Sequence, residues 1–458
     1  MIISPRIDCK HRAVVLLIGF IAGASFAVSA QAFNVLLNFD TTNGAYPYDP
    51  VVQGRDGNLY GTTYEGGVTD QGVIFRLDPQ GAFTLLHSFR DKDGRNPTAW
   101  MLLGTNGSFY STAYVGGANE DGTVYKMNAK GKVMTLYTFS GSDGSQPQAG
   151  LVQGNDGNYY GTTREGGANG YGTVFQITST GTLTTLHSFD LSDGEYPIAG
   201  LALGTDGNFY GTTWVGGSEE GGTAFKVTPS GAFTTLTNFD VPLGDGPTGG
   251  LLLGNDGNFY GTTGGGGTYD EGTIFQLTPA GALTTLHNFD GTDGSGPTAT
   301  LALGNDGNFY GAATYGGANG LGTLFGITPA GKFQTLHNFS AADGKNPVGI
   351  VQNTNGLFYG TAMFGGSQGV GTVYSLDAGL APFVSLQPFF GKRGTKIEIL
   401  GQGLTGAVAV SFNGVSAKYK VISDTLLTTV VPKGAGTGYV TVTTPGGTLI
   451  SNRIFSVP

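Results

Sequence analysis

The sequence predicts an all-β chain in which a seven-bladed β-propeller is followed by a small β-sandwich. Three observations carry that prediction. The stretch Gly-Asn-Phe-Tyr-Gly-Thr-Thr at Gly257 to Thr263 recurs in recognisable form seven times. It opens at Gly57, Gly107, Gly157, Gly207, Gly257, Gly307 and Gly356, spaced by 50 residues five times and 49 once. A fixed period of this size marks a solenoid, a propeller or an array. Each period divides into four short apolar runs separated by turn residues, which is the pattern of one blade. The ends are out of phase with the repeat. A fourth-strand sequence, Val35 to Phe39, stands near the start, and the last copy stops after its third strand, Gly371 to Leu376. Each strand type then occurs seven times, and the N-terminal strand can complete the last blade and hide both open edges.

Taken in order, residues 1–32 are expected to be a secretory signal peptide. Arg6, Lys10 and Arg12 form a basic start, Ala13 to Val28 an apolar core, and Ala30-Gln31-Ala32 a small-x-small cleavage site. The single cysteine, Cys9, leaves with this segment, so no disulfide or thiolate chemistry is expected in the remainder. The remainder has 19 basic and 31 acidic side chains, a net charge of −12. Such a chain, without basic runs, is a poor partner for nucleic acid or an anionic membrane. No membrane span is expected after cleavage.

The propeller is expected over residues 33–378. In the copy starting at Thr248, Thr248 to Gly254 is the first strand and Asn255-Asp256-Gly257 a tight turn. Asn258 to Thr263 is the second strand, Gly266-Gly267 opens a variable loop, Gly272 to Leu277 is the third strand, and Leu283 to Phe289 the fourth. Asn or Asp before Gly signals a hairpin because these residues tolerate positive φ. Gly makes up 83 of 458 residues, yet it recurs at fixed repeat positions, so it marks turns and close packing rather than low complexity. One aromatic per copy marks the second strand (Tyr260), the third (Phe275) and the end of the fourth (Phe289), as packing between blades requires. Small residues such as Gly249-Gly250 mark the first strand, where the ring is most crowded; Trp100 breaks that pattern, and packing is its expected role, with narrowing of the channel the alternative.

Asn-Phe-Tyr-Gly-Thr-Thr, then Gly-Gly, then Gly172-Thr-Val-Phe175 resembles the GloVer tandem repeat, a bacterial family named for Gloeobacter and Verrucomicrobia. The resemblance implies an exported, surface or extracellular protein and brings no settled activity. The chain ends at Ser456-Val457-Pro458 without an apolar helix and basic tail, so release rather than anchoring is expected. Over residues 379–458 the period stops. Gly401 and Gly403, then Phe412 to Gly414, then Val431-Pro432 and Thr444 to Gly447 separate alternating strands. Their order resembles the IPT/TIG immunoglobulin-like domain, which implies a spacer or adhesive module.

Function is expected on the face carrying the loops after strand two and the crossovers after strand four, because the other face carries only tight turns. The residues just before Gly-Gly vary between copies and supply the candidate ligand-binding set: Tyr64, Glu65, Tyr114, Arg164, Glu165, Trp214, Tyr315 and Phe364. Rings stack on the apolar faces of sugars, and Arg or Glu bonds their hydroxyls. The crossover acids, Asp190 and Asp193 or Asp290 and Asp293, could offer oxygens to Ca²⁺, but their spacing is irregular and Asx-turns explain them. His87, His187, His287 and His337 share one position in different blades, too far apart for one metal. No catalytic, metal or cofactor motif stands out. The expectation is a secreted or cell-surface, monomeric, non-catalytic binder or scaffold whose loop face takes an extracellular polysaccharide or surface protein. The alternatives are a polysaccharide hydrolase or lyase on the same scaffold, and a structural surface or matrix component.

Overall fold

The computed structural model describes residues 31–457. The segment read as a signal peptide lies outside the described residues, apart from Gln31 and Ala32. The described chain is all-β, with only two short 3₁₀ turns, at Asp91–Asp93 and Leu404–Gly406. The repeats form propeller-like, four-stranded antiparallel sheets. One contains Leu252–Leu253, Phe259–Thr263, Thr273–Leu277 and Leu283–Asn288, paired in chain order. Six sheets follow this plan, and a seventh pairs Ala32–Asn38 with Thr372–Asp377, beside Phe358–Phe364 and Lys345–Gln352. The N-terminal strand thus completes the last repeat.

The repeat motif is explained by its hydrogen bonds. Gly257 sits at φ +84°, a left-handed conformation that suits glycine. Asp256 accepts the Asn258 amide through Oδ1, and its Oδ2 accepts the Tyr260 hydroxyl at 2.7 Å. Asp56, Asp156, Asp206 and Asp306 repeat this with their tyrosines. In the two copies with Asn instead, Asn106 and Asn355 donate to Tyr110 and Tyr359. Gly261 is required because a Cβ there would lie 2.5 Å from the Phe275 ring. A β-bulge between the third and fourth strands recurs, as at Ile274/Phe275, and increases the local twist.

Aromatic rings join each sheet to the next. Phe289 meets Phe325 edge-on at 5.4 Å, and the other six junctions carry the same pair, including Phe339–Tyr374 at 5.2 Å and Phe39–Phe75 at 5.4 Å. Phe39 belongs to the last sheet and Phe75 to the first, so the series of sheets closes on itself. Gln53 in the first repeat and Thr354 in the last also exchange hydrogen bonds, and Thr361 donates to the Asp49 carbonyl at 2.9 Å.

The first strands are shorter than the sequence suggests. Thr248 to Gly254 was expected as a strand, but only Leu252–Leu253 pairs as one. The residues just before the first strands bond to neighbouring repeats instead: the Gly250 amide donates to Thr300 Oγ1, and the Ala299 carbonyl accepts from Thr262.

After Asp377 the chain leaves the repeats and forms two further four-stranded sheets, within Ser385–Val430 and Ala409–Ile450. They enclose one apolar core that includes Ile399, Phe412, Leu427, Val442 and Phe455.

Candidate functional site

The two faces of the ring differ. On the tight-turn face, the C-terminal sheets are docked against the repeats. Arg55 pairs with Glu398 at 2.6 Å, Thr425 donates to the Arg55 carbonyl, and Asn255 exchanges hydrogen bonds with Asn452 and Ile454. Half-buried Arg453 donates to the Leu253 carbonyl at 3.1 Å and lies over the Phe389 ring. Leu400 and Leu426 join an apolar cluster with Met101 and Leu103 of the repeats. A cavity of about 1210 Å³ remains between the two parts.

The opposite face is free of this domain. Its centre is an axial pocket of about 280 Å³. The residue following the repeat's proline lines it in every copy: Tyr48, Thr98, Gln148, Ile198, Thr248, Thr298 and Val348. Trp100 also lines the pocket, and its indole lies against the axial backbone of the next two repeats. A Cβ on Gly150 or Gly200 would fall 2.4 or 2.2 Å from that ring. Trp100 is thus accommodated at the axis by two glycines.

Asp49 is the one acid in the pocket lining. The residue as a whole is partly exposed, but its Oδ2 is buried and has no hydrogen-bond partner. Burial holds its carboxyl well above the usual carboxylate range. Thr248 Oγ1 is likewise buried and unpartnered.

Four of the predicted site residues lie along one arc beside this pocket. Tyr64 packs on Tyr48 with ring centroids 5.0 Å apart, and its phenol is pushed up first by burial, then by the charges of Glu65 and Tyr114. The Tyr114 hydroxyl donates to Gln146 at 2.6 Å and accepts from Arg164 at 3.0 Å. The Arg164 guanidinium lies 5.1 Å from the centre of the Tyr196 ring, and Tyr196 stands 6.4 Å from Trp214. Trp214 is 39% exposed. Glu165 sits 3.8 Å from Arg164 Nε as a weak ion pair.

The other predicted residues make no side-chain hydrogen bond or ring contact within that row, although Glu65 and Tyr315 act electrostatically on Tyr48. Glu65 is held by backbone pairing with Ala45. Tyr315 is 55% exposed and packs beside Gly296. Phe364 contacts Tyr46 at 5.3 Å and lies under the Lys345 ammonium. Sequence reasoning missed Tyr48, Tyr196 and Asp49. Asp49 had a signal: two residues after the proline, the other copies carry Ala99, Ala149, Ala199, Gly249, Ala299 and Gly349.

The crossover acids make turns. Asp290 Oδ1 accepts the amides of Thr292 and Asp293, and Asp190 does the same for Ser192 and Asp193. Each repeat-position histidine faces the crossover acid of its own sheet, as His287 does Asp293 at 2.8 Å. Among the described residues no three His, Cys, Asp or Glu side chains gather as a metal would need. No described helix is long and apolar enough to cross a membrane.

A family profile described as the Gloeobacter/Verrucomicrobia repeat matches residues 20–218 and 201–422. No curated protein matches the sequence. Among solved structures, the chain is similar to a fungal alcohol oxidase of the AA5 family, solved with copper. The identity is 13%, the TM-score 0.52, and the likeness covers 94% of this chain and all of that one. It is also similar to a gluconolactonase from Xanthomonas campestris at 11% identity and a TM-score of 0.42, over 73% of this chain and 98% of that one. At such identities the likeness to the oxidase is one of fold alone.

Proposed function

From a chain that belongs to the Gloeobacter/Verrucomicrobia repeat family, we propose an exported binding protein whose loop face takes an extracellular polysaccharide. The repeats are read as a seven-bladed propeller, and the C-terminal sheets as an immunoglobulin-like domain of the IPT/TIG kind that serves as a base or spacer. Seven sheets joined by the same aromatic pair support the first reading. Two facing sheets around one core support the second.

The observation that carries the binding reading is the arc Tyr64, Tyr114, Arg164, Tyr196, Trp214. It holds flat apolar rings and a guanidinium in a fixed row, on the face the C-terminal domain leaves open. Sugar rings offer apolar faces to such rings and hydroxyls to the guanidinium. A hydrolase would need a second carboxyl near the first. The axial pocket lining supplies only Asp49, so the binding reading stands ahead of that alternative.

The test is retention of the purified protein on immobilised polysaccharides of differing charge and linkage. Selective retention that falls about tenfold, ~1.4 kcal/mol, on Trp214→Ala or Tyr114→Ala supports the arc. Retention on none of them, or retention indifferent to both substitutions, removes the reading.

A further inference from the structure

Where the seven first strands converge, side chains are small because there is little room. Two residues after the repeat's proline, six copies carry Ala or Gly, and only the first carries a charged group, Asp49. Nothing in the packing of the ring asks for a carboxyl there, since Ala serves in four other copies. Its Oδ2 is buried without a hydrogen-bond partner, and the pocket lining contains no Lys, Arg or His. A carboxyl with one oxygen shut away from water and no counter-charge beside it is costly, and either a proton or a cation relieves the cost.

The surroundings favour an organic cation. Trp100 presents its indole at the axis, held over Gly150 and Gly200, and Tyr48 stands on the rim. A cation over the face of Trp or Tyr is attracted by the ring quadrupole. Thr248 Oγ1, also buried and unpartnered, is a second acceptor. A hard metal ion would want six or more oxygens, several of them charged, and the pocket has one carboxyl. A volume of about 280 Å³ suits a ligand of a few carbons.

We propose that the axial pocket binds a small organic ammonium ion, with Asp49 as counter-ion and Trp100 as the aromatic face beneath it. This site is distinct from the exposed arc, and its failure or success is independent of polysaccharide binding.

Calorimetric titration of the whole protein tests it, with tetramethylammonium chloride and n-butylammonium chloride as probes. Neutral tert-butanol and glucose serve as controls. At least one ammonium is expected to bind saturably, with the controls at least tenfold weaker. Asp49→Ala is expected to lose at least tenfold; because Ala occupies this position in four other copies, the variant keeps the fold. The two tryptophans, Trp100 and Trp214, give two indole N–H resonances, and that of Trp100 is expected to shift with the ammonium. Three results would overturn the proposal: no saturable ammonium binding, tert-butanol or glucose binding as tightly, or unchanged binding in Asp49→Ala.

Discussion

Ring closure makes a quantitative demand on Phe33. In two internal junctions, a phenylalanine on the fourth strand stacks on the histidine of the preceding sheet. Phe233 does so on His187 at 3.7 Å and Phe333 on His287 at 3.9 Å, with ring planes within 7°. Phe33 stacks on His337 at 3.8 Å with the planes 3° apart, although some 300 residues separate them in sequence. It also touches Phe339 and Tyr374, as Phe333 touches Phe289 and Phe325. If the ring closes as an ordinary junction, Phe33→Ala and Phe333→Ala should cost the same. Both rings are half-buried. Burial of a phenylalanine contributes about 1.5–3 kcal/mol, and an aromatic pair adds ~0.5–1.5 kcal/mol. Partial exposure reduces the sum, so each substitution should cost about 2–3 kcal/mol. Urea unfolding followed by far-UV circular dichroism gives the comparison. A Phe33→Ala cost under ~0.5 kcal/mol beside a full cost for Phe333→Ala would mean that the N-terminal strand does not close the ring in solution, and the reasoning would fail.

Asp49→Ala is expected to stabilise the protein at neutral pH by about 1–3 kcal/mol, the usual cost of a buried unsatisfied polar group. Its folded-state pKa is raised above 3.8, so the folded chain binds more protons than the unfolded one above that value. Stability is then lost as pH rises from about 3.8, and the gain from the substitution should vanish below it. His87 and His337 act in the opposite direction. Burial lowers both from 6.5, so the unfolded chain binds more protons just below that pH, and their contribution should weaken as pH falls below 6.5. Denaturant midpoints across pH, with His337→Asn as reference, check this; a midpoint difference independent of pH would contradict it. Arg55→Ala removes the partner that opposes the burial-raised pKa of Glu398. Since both side chains keep some exposure, the docking of the C-terminal sheets should weaken by only ~1 kcal/mol. Elastase should then cut the linker at 378–382 about fivefold faster, and an unchanged rate would count against the ion pair.

Much of this fold was legible because the repeat states its rules seven times. Asp-Gly or Asn-Gly turns and the inter-sheet aromatics stand out as positions that recur in every copy, whereas the bond from the second-strand Tyr to the turn acid was not read from the sequence, which gave that Tyr only a packing role. The His positions were legible as structural for the same reason, since each meets an acid six residues on in its own sheet. The docking of the C-terminal sheets was not legible. It depends on contacts such as Asn255 with Ile454, about two hundred residues apart, and neither residue is marked by pattern. The arc was legible as a set of varied residues but not as a row, because Tyr196 enters it from a different loop.

Departures from the repeat sort by whether another departure answers them. Leu59 stands where the other copies have Phe or Tyr, and it packs with Tyr359 at the closing junction. Ser111 replaces the glycine of other copies, faces Tyr125 across the sheet, and its hydroxyl is taken up by the Ala99 and Trp100 carbonyls. Trp100 is answered by Gly150 and Gly200. Among the described residues nothing answers Asp49: no Lys, Arg or His lines its pocket, and Oδ2 has no donor. A packing role explains a departure that has a compensating neighbour. A departure that carries a desolvation cost and has none points outward, to a group the protein does not itself contain.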